Sequence, residues 1–380
     1  MTHPIAATAA SAVDFMVQRA DLHVCKFESA SLPTERDLLR GQVLLKIAKF
    51  AFTSNNVTYA AFGESMAYWS FFPAPDGWGR IPVWGFADVV YSRIDGVLPG
   101  ERFYGYFPMS SHLVVQPDHC SEAGFLDAMP HRQKMHPLYN QYLRTATDPA
   151  YSATSEDEQM LLRPLFITSF MIDDFLADKD FFGAQMVVIS SASSKTAYGL
   201  AFLLALRGHS AIEVVGLTAA ANVDFVDGLD CYDRVLSYEA AGTLANTTPV
   251  VYVDMAGNGQ LRATLHHHFG HNMKYSCAVG GTHWNALVGE GGGADLPGAR
   301  PILFFAPSQI KKRTQEWGFS GMQERVAAAW LKFMASVMHP TKGWMRVVQG
   351  RGPDAVKQVY LAMLDGRAKP DEGNVLSLSE

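Results

Sequence analysis

From residue 184 onward, short apolar runs alternate with helical stretches, and no other feature constrains the fold of this chain as strongly. Residues 186–189 (MVVI) read as a short buried strand, 196–206 as an apolar helix stopped by Gly208, and 211–217 as the next strand. A short helix at 223–229, strands at 234–236 and 250–255, a helix at 260–269 and strands at 275–279 and 301–305 continue the series. Short apolar strands joined through helices require a parallel sheet covered on both faces, so this part is of α/β class.

The first third reads differently. Residues 42–52 (QVLLKIAKFAF) alternate well enough for a strand entering a β-rich region. Proline and glycine then recur at Pro73, Pro75, Gly77, Gly79, Pro82 and Gly85, which breaks helices and favours short strands and turns. Further strands are expected at 89–91, 102–106 and 112–115. Residues 127–160 carry His131, His136, Tyr139, Tyr142 and the acids Glu156, Asp157 and Glu158 with little periodicity, and read as an inserted loop or lid. Helical spacing returns at 160–176. The tail holds a helix at 321–338, a strand at 344–349, a helix at 353–364 with Pro353 in its first turn, and a final strand at 373–378.

A chain of 380 residues exceeds one ordinary core, so two domains are expected. The formal charge of -6 arises from 37 acids and 31 bases without a block of one sign, which argues against a nucleic-acid partner. Cys25, Cys120, Cys231 and Cys277 stand alone, without metal-ligand or redox spacing. The first 20 residues lack a basic start followed by an apolar stretch, and no apolar run reaches membrane-spanning length. A cytoplasmic protein without a membrane partner is the expectation.

Several segments, in order, resemble the medium-chain dehydrogenase/reductase superfamily, and in particular its zinc-independent quinone-oxidoreductase branch. VLLKIAKFAFTSNNVTYAAFG (43–63) resembles the start of the catalytic, GroES-like domain, and VLPGERFYGYFPMSSHLVVQP (97–117) its G-D-R-V turn and following strand. LLRPLFITSFMIDDFL (161–176) resembles the hinge helix, and LDGRAKPDEGNVLSL (364–378) the closing stretch. The phrases RIPVWGFADVV, EDEQMLLRPLF, SSASSKTA and YVDMAGN resemble a branch described as a family of unknown function. The resemblance implies a Rossmann-type parallel-sheet domain plus a GroES-like β-rich catalytic domain. Residues 1–164 would form the catalytic domain with an insertion at about 127–160, 165–339 the nucleotide-binding domain, and 340–380 the return to the first. It also implies a homo-oligomer assembled through the nucleotide domains.

A dinucleotide fold places a glycine-rich turn after its first strand, so that pyrophosphate approaches a helix N-terminus. Here the turn is Ser190-Ser191-Ala192-Ser193-Ser194-Lys195-Thr196, without glycine. Its hydroxyls at Ser191, Ser193, Ser194 and Thr196, with Lys195, are candidates to hold the phosphates of NADP(H). The same residues also read as a well-capped helix whose pocket has lost its cofactor. No carboxylate follows the second strand, which favours NADP(H) over NAD(H), with Thr218 and Asn222 near the 2′-phosphate. Gly280 and Phe305 fall where the superfamily fold borders the nicotinamide, or are ordinary strand-end turns.

Where zinc-dependent relatives carry ligands, this sequence has Ser54 and Tyr59, neither a usual zinc ligand, so no zinc is expected. Polarisation of a carbonyl or enone then falls to hydrogen-bond donors, with Asn55 and Tyr59 the leading candidates. Tyr59 also reads as a packed core tyrosine. His136 and Tyr139 are candidate acid/base groups, or solvated bystanders. Trp69, Phe71, Phe72, Trp78 and Trp84 suit an apolar or aromatic small-molecule substrate, or simply a β-domain core. His266, His267, His268 and His271 read as a solvated helix end. Two functions stay open: an NADPH-linked oxidoreductase acting on an enone, quinone or carbonyl, and a non-redox lyase on the same scaffold.

Overall fold

The computed structural model describes residues 11–208, 212–255, 257–279 and 296–379. The chain divides into two compact units, one comprising residues up to Leu161 together with those from Arg346 onward, the other Leu162–Met345. The first contributes β1 (Ser11–Gln18), β2 (Cys25–Ser31), β3 (Val43–Phe52), α1 (Ser54–Ala61), β4 (Trp78–Gly79) and β5 (Pro82–Ser92). It continues with β6 (Arg102–Pro108), β7 (His112–Val115), β8 (Pro117–Ser121), β9 (Gly124–Asp127), α2 (Pro137–Asn140) and β10 (Gln141–Arg144). Helix α3 (Glu156–Asp178) leads into the second unit, which holds β11 (Met186–Ile189), α4 (Lys195–Arg207), β12 (Glu213–Thr218), α5 (Val223–Asp227) and β13 (Arg234–Ser237). There follow β14 (Val250–Asp254), α6 (Gly259–Phe269), β15 (Met273–Ala278), β16 (Pro301–Leu303) and α7 (Ala306–Val337). The tail returns as β17 (Arg346–Arg351), α8 (Gly352–Leu364) and β18 (Glu372–Ser377).

In the second unit six strands lie in the order β13-β12-β11-β14-β15-β16, all pairs parallel. Every residue of β11 and β14 is buried, which is why both read as continuous apolar runs. Helix α4 starts where the Ser194 hydroxyl accepts from the Ala197 N–H at 3.2 Å, and it stops at Gly208, whose φ of +67° is left-handed. The chain builds β11, β12 and β13 outward and then crosses back to lay β14 beside β11. That reversal is the Rossmann arrangement, and its topological switch point, where ligands of such sheets bind, lies at the carboxyl ends of β11 and β14.

In the first unit a nine-stranded sheet runs β17-β18-β3-β5-β6-β10-β9-β8, with β7 also paired to β3, and a smaller sheet runs β2-β1-β4. Val43, Leu45, Ile47, Phe50 and Phe52 of β3 pack with Phe15, Val83, Phe107 and Tyr360 into one apolar core. This is the GroES-like β-rich domain.

Three stretches depart from expectation. Residues 127–160 are not a loop throughout: β10 lies inside the sheet between β6 and β9, and Tyr142 is fully buried. The strand is short and its faces are set by partners distant in sequence, so local periodicity is weak. A Cβ on Gly105 would lie 2.5 Å from the Tyr142 ring, and one on Gly124 would lie 1.9 Å from the Tyr142 carbonyl oxygen, so glycine is what admits β10 at both sites. The three acids form the first turn of α3, where the helix dipole favours them. Glu156 meets Arg102 at 2.7 Å and Asp157 meets Lys49 at 2.5 Å.

Helix α7 begins at Ala306 rather than 321 and is interrupted at Gly318, where φ is +74°. Its polar first half is held by ion pairs, Arg313 to Asp174 at 2.6 Å and Lys312 to Asp178 at 2.5 Å, which leave no apolar stripe to detect. The histidines of α6 are not all solvated. His266 is fully buried, with Nδ1 2.9 Å from the Pro297 carbonyl oxygen and Nε2 3.0 Å from Ser276 Oγ. Successive helical residues turn by about 100°, so a run of three on a packed helix puts one toward the sheet.

Candidate functional site

Two clusters of chemically competent side chains stand out, one in each unit. In the second unit the turn after β11 is built by cross-strand hydrogen bonds. The Ser190 hydroxyl donates to Asp254 Oδ1 at 3.1 Å and accepts from the Met255 N–H at 3.0 Å. Asp254 is in turn gripped by Arg262, Nη2 to Oδ2 at 2.7 Å, and both are almost fully buried. This network ties the ends of β11 and β14 together. Ser190 thus serves the frame of the turn rather than its face.

Ser191 has φ +47°, a left-handed conformation that glycine adopts without strain, and its N–H donates to the Tyr238 hydroxyl at 3.2 Å. Ala192 is fully buried, donates its N–H to the Leu217 carbonyl and accepts from the Tyr232 hydroxyl, each at 3.0 Å. Ser193 is half-buried, and its Oγ accepts from Thr218 Oγ1 at 3.4 Å and Asn222 Nδ2 at 3.5 Å. Ser194 caps α4. Lys195 begins the helix, its ammonium 5.8 Å from the centroid of the Trp344 ring. The structure therefore brings Ser193, Thr218 and Asn222 together at the end of β12, beside a helix N-terminus. Hydroxyls, an amide and an ammonium, with no carboxylate among them, fit a phosphate-bearing ligand.

In the first unit, aromatic rings converge. Tyr59 on α1 lies 4.6 Å from Tyr68 and 5.7 Å from Tyr106 between ring centroids. Tyr139 on α2 lies 5.0 Å from Tyr106 and 6.3 Å from Tyr68. Trp84 on β5 stacks on Tyr104 at 5.6 Å and leans on Tyr106 at 5.0 Å. Burial, reinforced by the neighbouring phenols, pushes the hydroxyls of Tyr59, Tyr68, Tyr106 and Tyr139 above the ordinary tyrosine value. The Tyr59 hydroxyl lies beside the Trp84 indole and the Asn55 side chain. Underneath, Arg132 is fully buried. Its guanidinium donates to Asn140 Oδ1 at 3.0 Å and to the Tyr139 carbonyl at 2.5 Å, and it pairs with Asp127 at 3.3 Å.

A family model described as "Protein of unknown function (DUF2855)" matches residues 50–369. The chain belongs to this family. No curated protein matches this DUF2855 chain. Among solved structures it is similar to CurA from Vibrio vulnificus in complex with NADPH, at 13% identity and a TM-score of 0.61 over 97% of this chain and 99% of that one. It is similar to a mitochondrial 2-enoyl thioester reductase heterodimer from Candida tropicalis, at 8% identity and a TM-score of 0.55 over 97% and 100%. A quinone oxidoreductase from Coxiella burnetii aligns at 11% identity with a TM-score of 0.53 over 97% and 99%. The likeness establishes the fold of the DUF2855 chain, a Rossmann domain with a GroES-like domain.

Within it, the expected residues fall unevenly. Tyr59, Asn55 and Tyr139 share the aromatic cluster, whereas His136 is exposed and caps α2, its Nδ1 accepting from the Leu138 N–H at 3.3 Å. Phe305 precedes α7 and is 42% exposed, and Gly280 lies outside the described residues. Trp69 is a core residue: it fills the space that side chains on Gly63 and Gly79 would need. Among the described residues no group of three or more His, Cys, Asp or Glu is placed to hold a metal, and no helix is long and apolar enough to cross a membrane. Sequence reasoning missed Tyr68, Tyr106 and Arg132. Tyr104 and Tyr106 alternate on one face of β6, a period-two pattern visible in the sequence, and Tyr106 pairs across the sheet with Trp84.

Proposed function

We propose that this chain is an NADPH-linked oxidoreductase that reduces a carbonyl or conjugated carbonyl of an aromatic or apolar small molecule. The observation that carries this reading is the Ser193, Thr218 and Asn222 cluster at the end of β12, beside the N-terminus of α4 in a Rossmann sheet. Ser193, Lys195 and Thr196 would hold the cofactor's phosphates, and Thr218 with Asn222 would face a 2′-phosphate where NAD-selective sites carry a carboxylate. Ser191 and Ser194 shape and cap that turn. When bound, NADPH supplies a hydride. Tyr59, kept protonated by its raised pKa, donates to the substrate oxygen, and Asn55 orients that hydroxyl. Tyr139 covers the cluster and limits water. The similar CurA structure from Vibrio vulnificus is a complex with NADPH, which supports the choice of cofactor.

Titration of the purified protein with NADPH and with NADH tests this directly. NADPH should bind more tightly, Lys195→Ala should weaken it roughly tenfold, and Asn222→Asp should move preference toward NADH. One observation favours the lyase alternative. The N–H and carbonyl of Ala192 are both consumed inside the protein, so this turn offers less backbone to a pyrophosphate than a glycine-rich one. Absence of binding by either nucleotide would favour redox-neutral chemistry at Tyr59 and Tyr139. We further propose a homo-oligomer paired through β16, the edge strand of the parallel sheet, where Ile302 and Leu303 are 53% and 43% exposed.

A further inference from the structure

Tyr106 is fully buried, yet its hydroxyl has no hydrogen-bond partner among the described residues. The indole nitrogen of Trp84, whose ring centroid is 5.0 Å from that of Tyr106, likewise closes no hydrogen bond among the described residues, although the Tyr59 hydroxyl lies beside it. Buried donors left without acceptors destabilise a fold, and they occur together where an absent ligand supplies the acceptor. We propose that Tyr106 Oη and Trp84 Nε1 form a donor pair that receives the carbonyl oxygen of an aromatic or conjugated ketone. This deepens the reductase reading and rests on it for its chemistry, by adding two further donors of the first unit to Tyr59 at the substrate oxygen.

The surroundings select that ligand class. Phe71, Tyr104 and Trp84 provide flat apolar faces for a ring or an extended π system. A cationic ligand, which aromatic cages otherwise suit, is disfavoured here. The unpaired groups present protons, and the Arg132 guanidinium already lies 5.5 Å from the Phe71 centroid and 5.0 Å from that of Phe72. Burial holds the Tyr106 hydroxyl protonated through neutral pH, so it stays a donor as charge grows on the substrate oxygen. Tyr139 and Trp84 are the partly exposed members of the cluster, so a ligand would reach Tyr106 from their side.

The test uses the full chain without nucleotide. Benzylideneacetone and trans-β-methylstyrene, which share the styryl group but differ in the carbonyl, are titrated calorimetrically into wild type, Tyr106→Phe and Trp84→Phe, and melting is followed in parallel. Wild type should prefer the ketone by roughly tenfold. Tyr106→Phe should lose that preference while its Tm is unchanged or raised, because an unsatisfied hydroxyl has been removed from the interior. Unchanged ketone affinity in Tyr106→Phe, or no ketone preference in wild type, would overturn the proposal. A lowered Tm in Tyr106→Phe would overturn it too, since the hydroxyl would then have a structural partner. Loss of NADPH binding in wild type would sink the reductase reading and leave the ketone result standing, so the two failures can be told apart.

Discussion

Tyr59, Tyr68, Tyr106 and Tyr139 fix the chemistry available at the residue scale. An isolated phenol ionises near about 10, and burial raises all four above that. The folded chain therefore keeps protons that the unfolded chain gives up, so the stability these groups contribute is intact below about pH 10 and falls as pH rises beyond it. Urea midpoints should accordingly be flat in their tyrosine contribution from pH 7 to 9 and drop above 10, with phenolate absorbance from the cluster appearing together with unfolding. Phenolate signal from these four in the folded protein would contradict the picture. At neutral pH the same shift makes Tyr59 a hydrogen-bond donor rather than a base. Tyr59 and Tyr139 were legible in the sequence because tyrosines at those places invite a chemical role. Tyr106 was not, because burial and the lack of a partner emerge only when β5, β6 and α2 meet.

At the scale of elements, the turn between β11 and α4 carries opposite tendencies in adjacent residues. Ser194 stabilises the start of α4, and its replacement by alanine should cost about 1 kcal/mol. Ser191 sits in left-handed backbone, so Ser191→Gly should relieve strain and raise stability by roughly 0.5–1 kcal/mol after glycine's own entropy cost. Denaturant midpoints of the two variants should move in opposite directions; a destabilised Ser191→Gly would show that the side-chain contact between Ser191 Oγ and the Tyr238 hydroxyl, 3.4 Å apart, outweighs the strain. The apolar strands of the parallel sheet were legible because both their faces are covered. Strand β1 was not legible because its apolar run is only Phe15, Met16 and Val17, and the burial of those residues is set by pairing with β2 and β4. Strand β10 was hidden because its four residues owe their place to β6 and β9, and to glycines opposite Tyr142, rather than to their own pattern.

For the whole molecule, the edge of the parallel sheet is the feature with the broadest reach. An edge strand bearing exposed Ile302 and Leu303 invites pairing with a second copy. Ile302→Glu should shift the protein to a smaller species in light scattering; an unchanged mass would place the oligomer contact elsewhere or show a monomer. The two-domain α/β organisation was legible from rhythm and from the order of several weak segment matches. The roles of individual side chains were not, because they depend on which strands become neighbours.

The first unit is also discontinuous, and this bears on how the chain is born. Asn374 of β18 pairs with Phe52 of β3, so the central strands of its sheet come from opposite ends of the message. At about 5–20 residues per second, translation separates the two by tens of seconds. Through that interval the second unit, being continuous, can fold as it emerges, whereas the nascent β3 still lacks one neighbour. A chaperone or ribosome-bound factor that shields exposed strands would meet this chain first through its amino-terminal sheet.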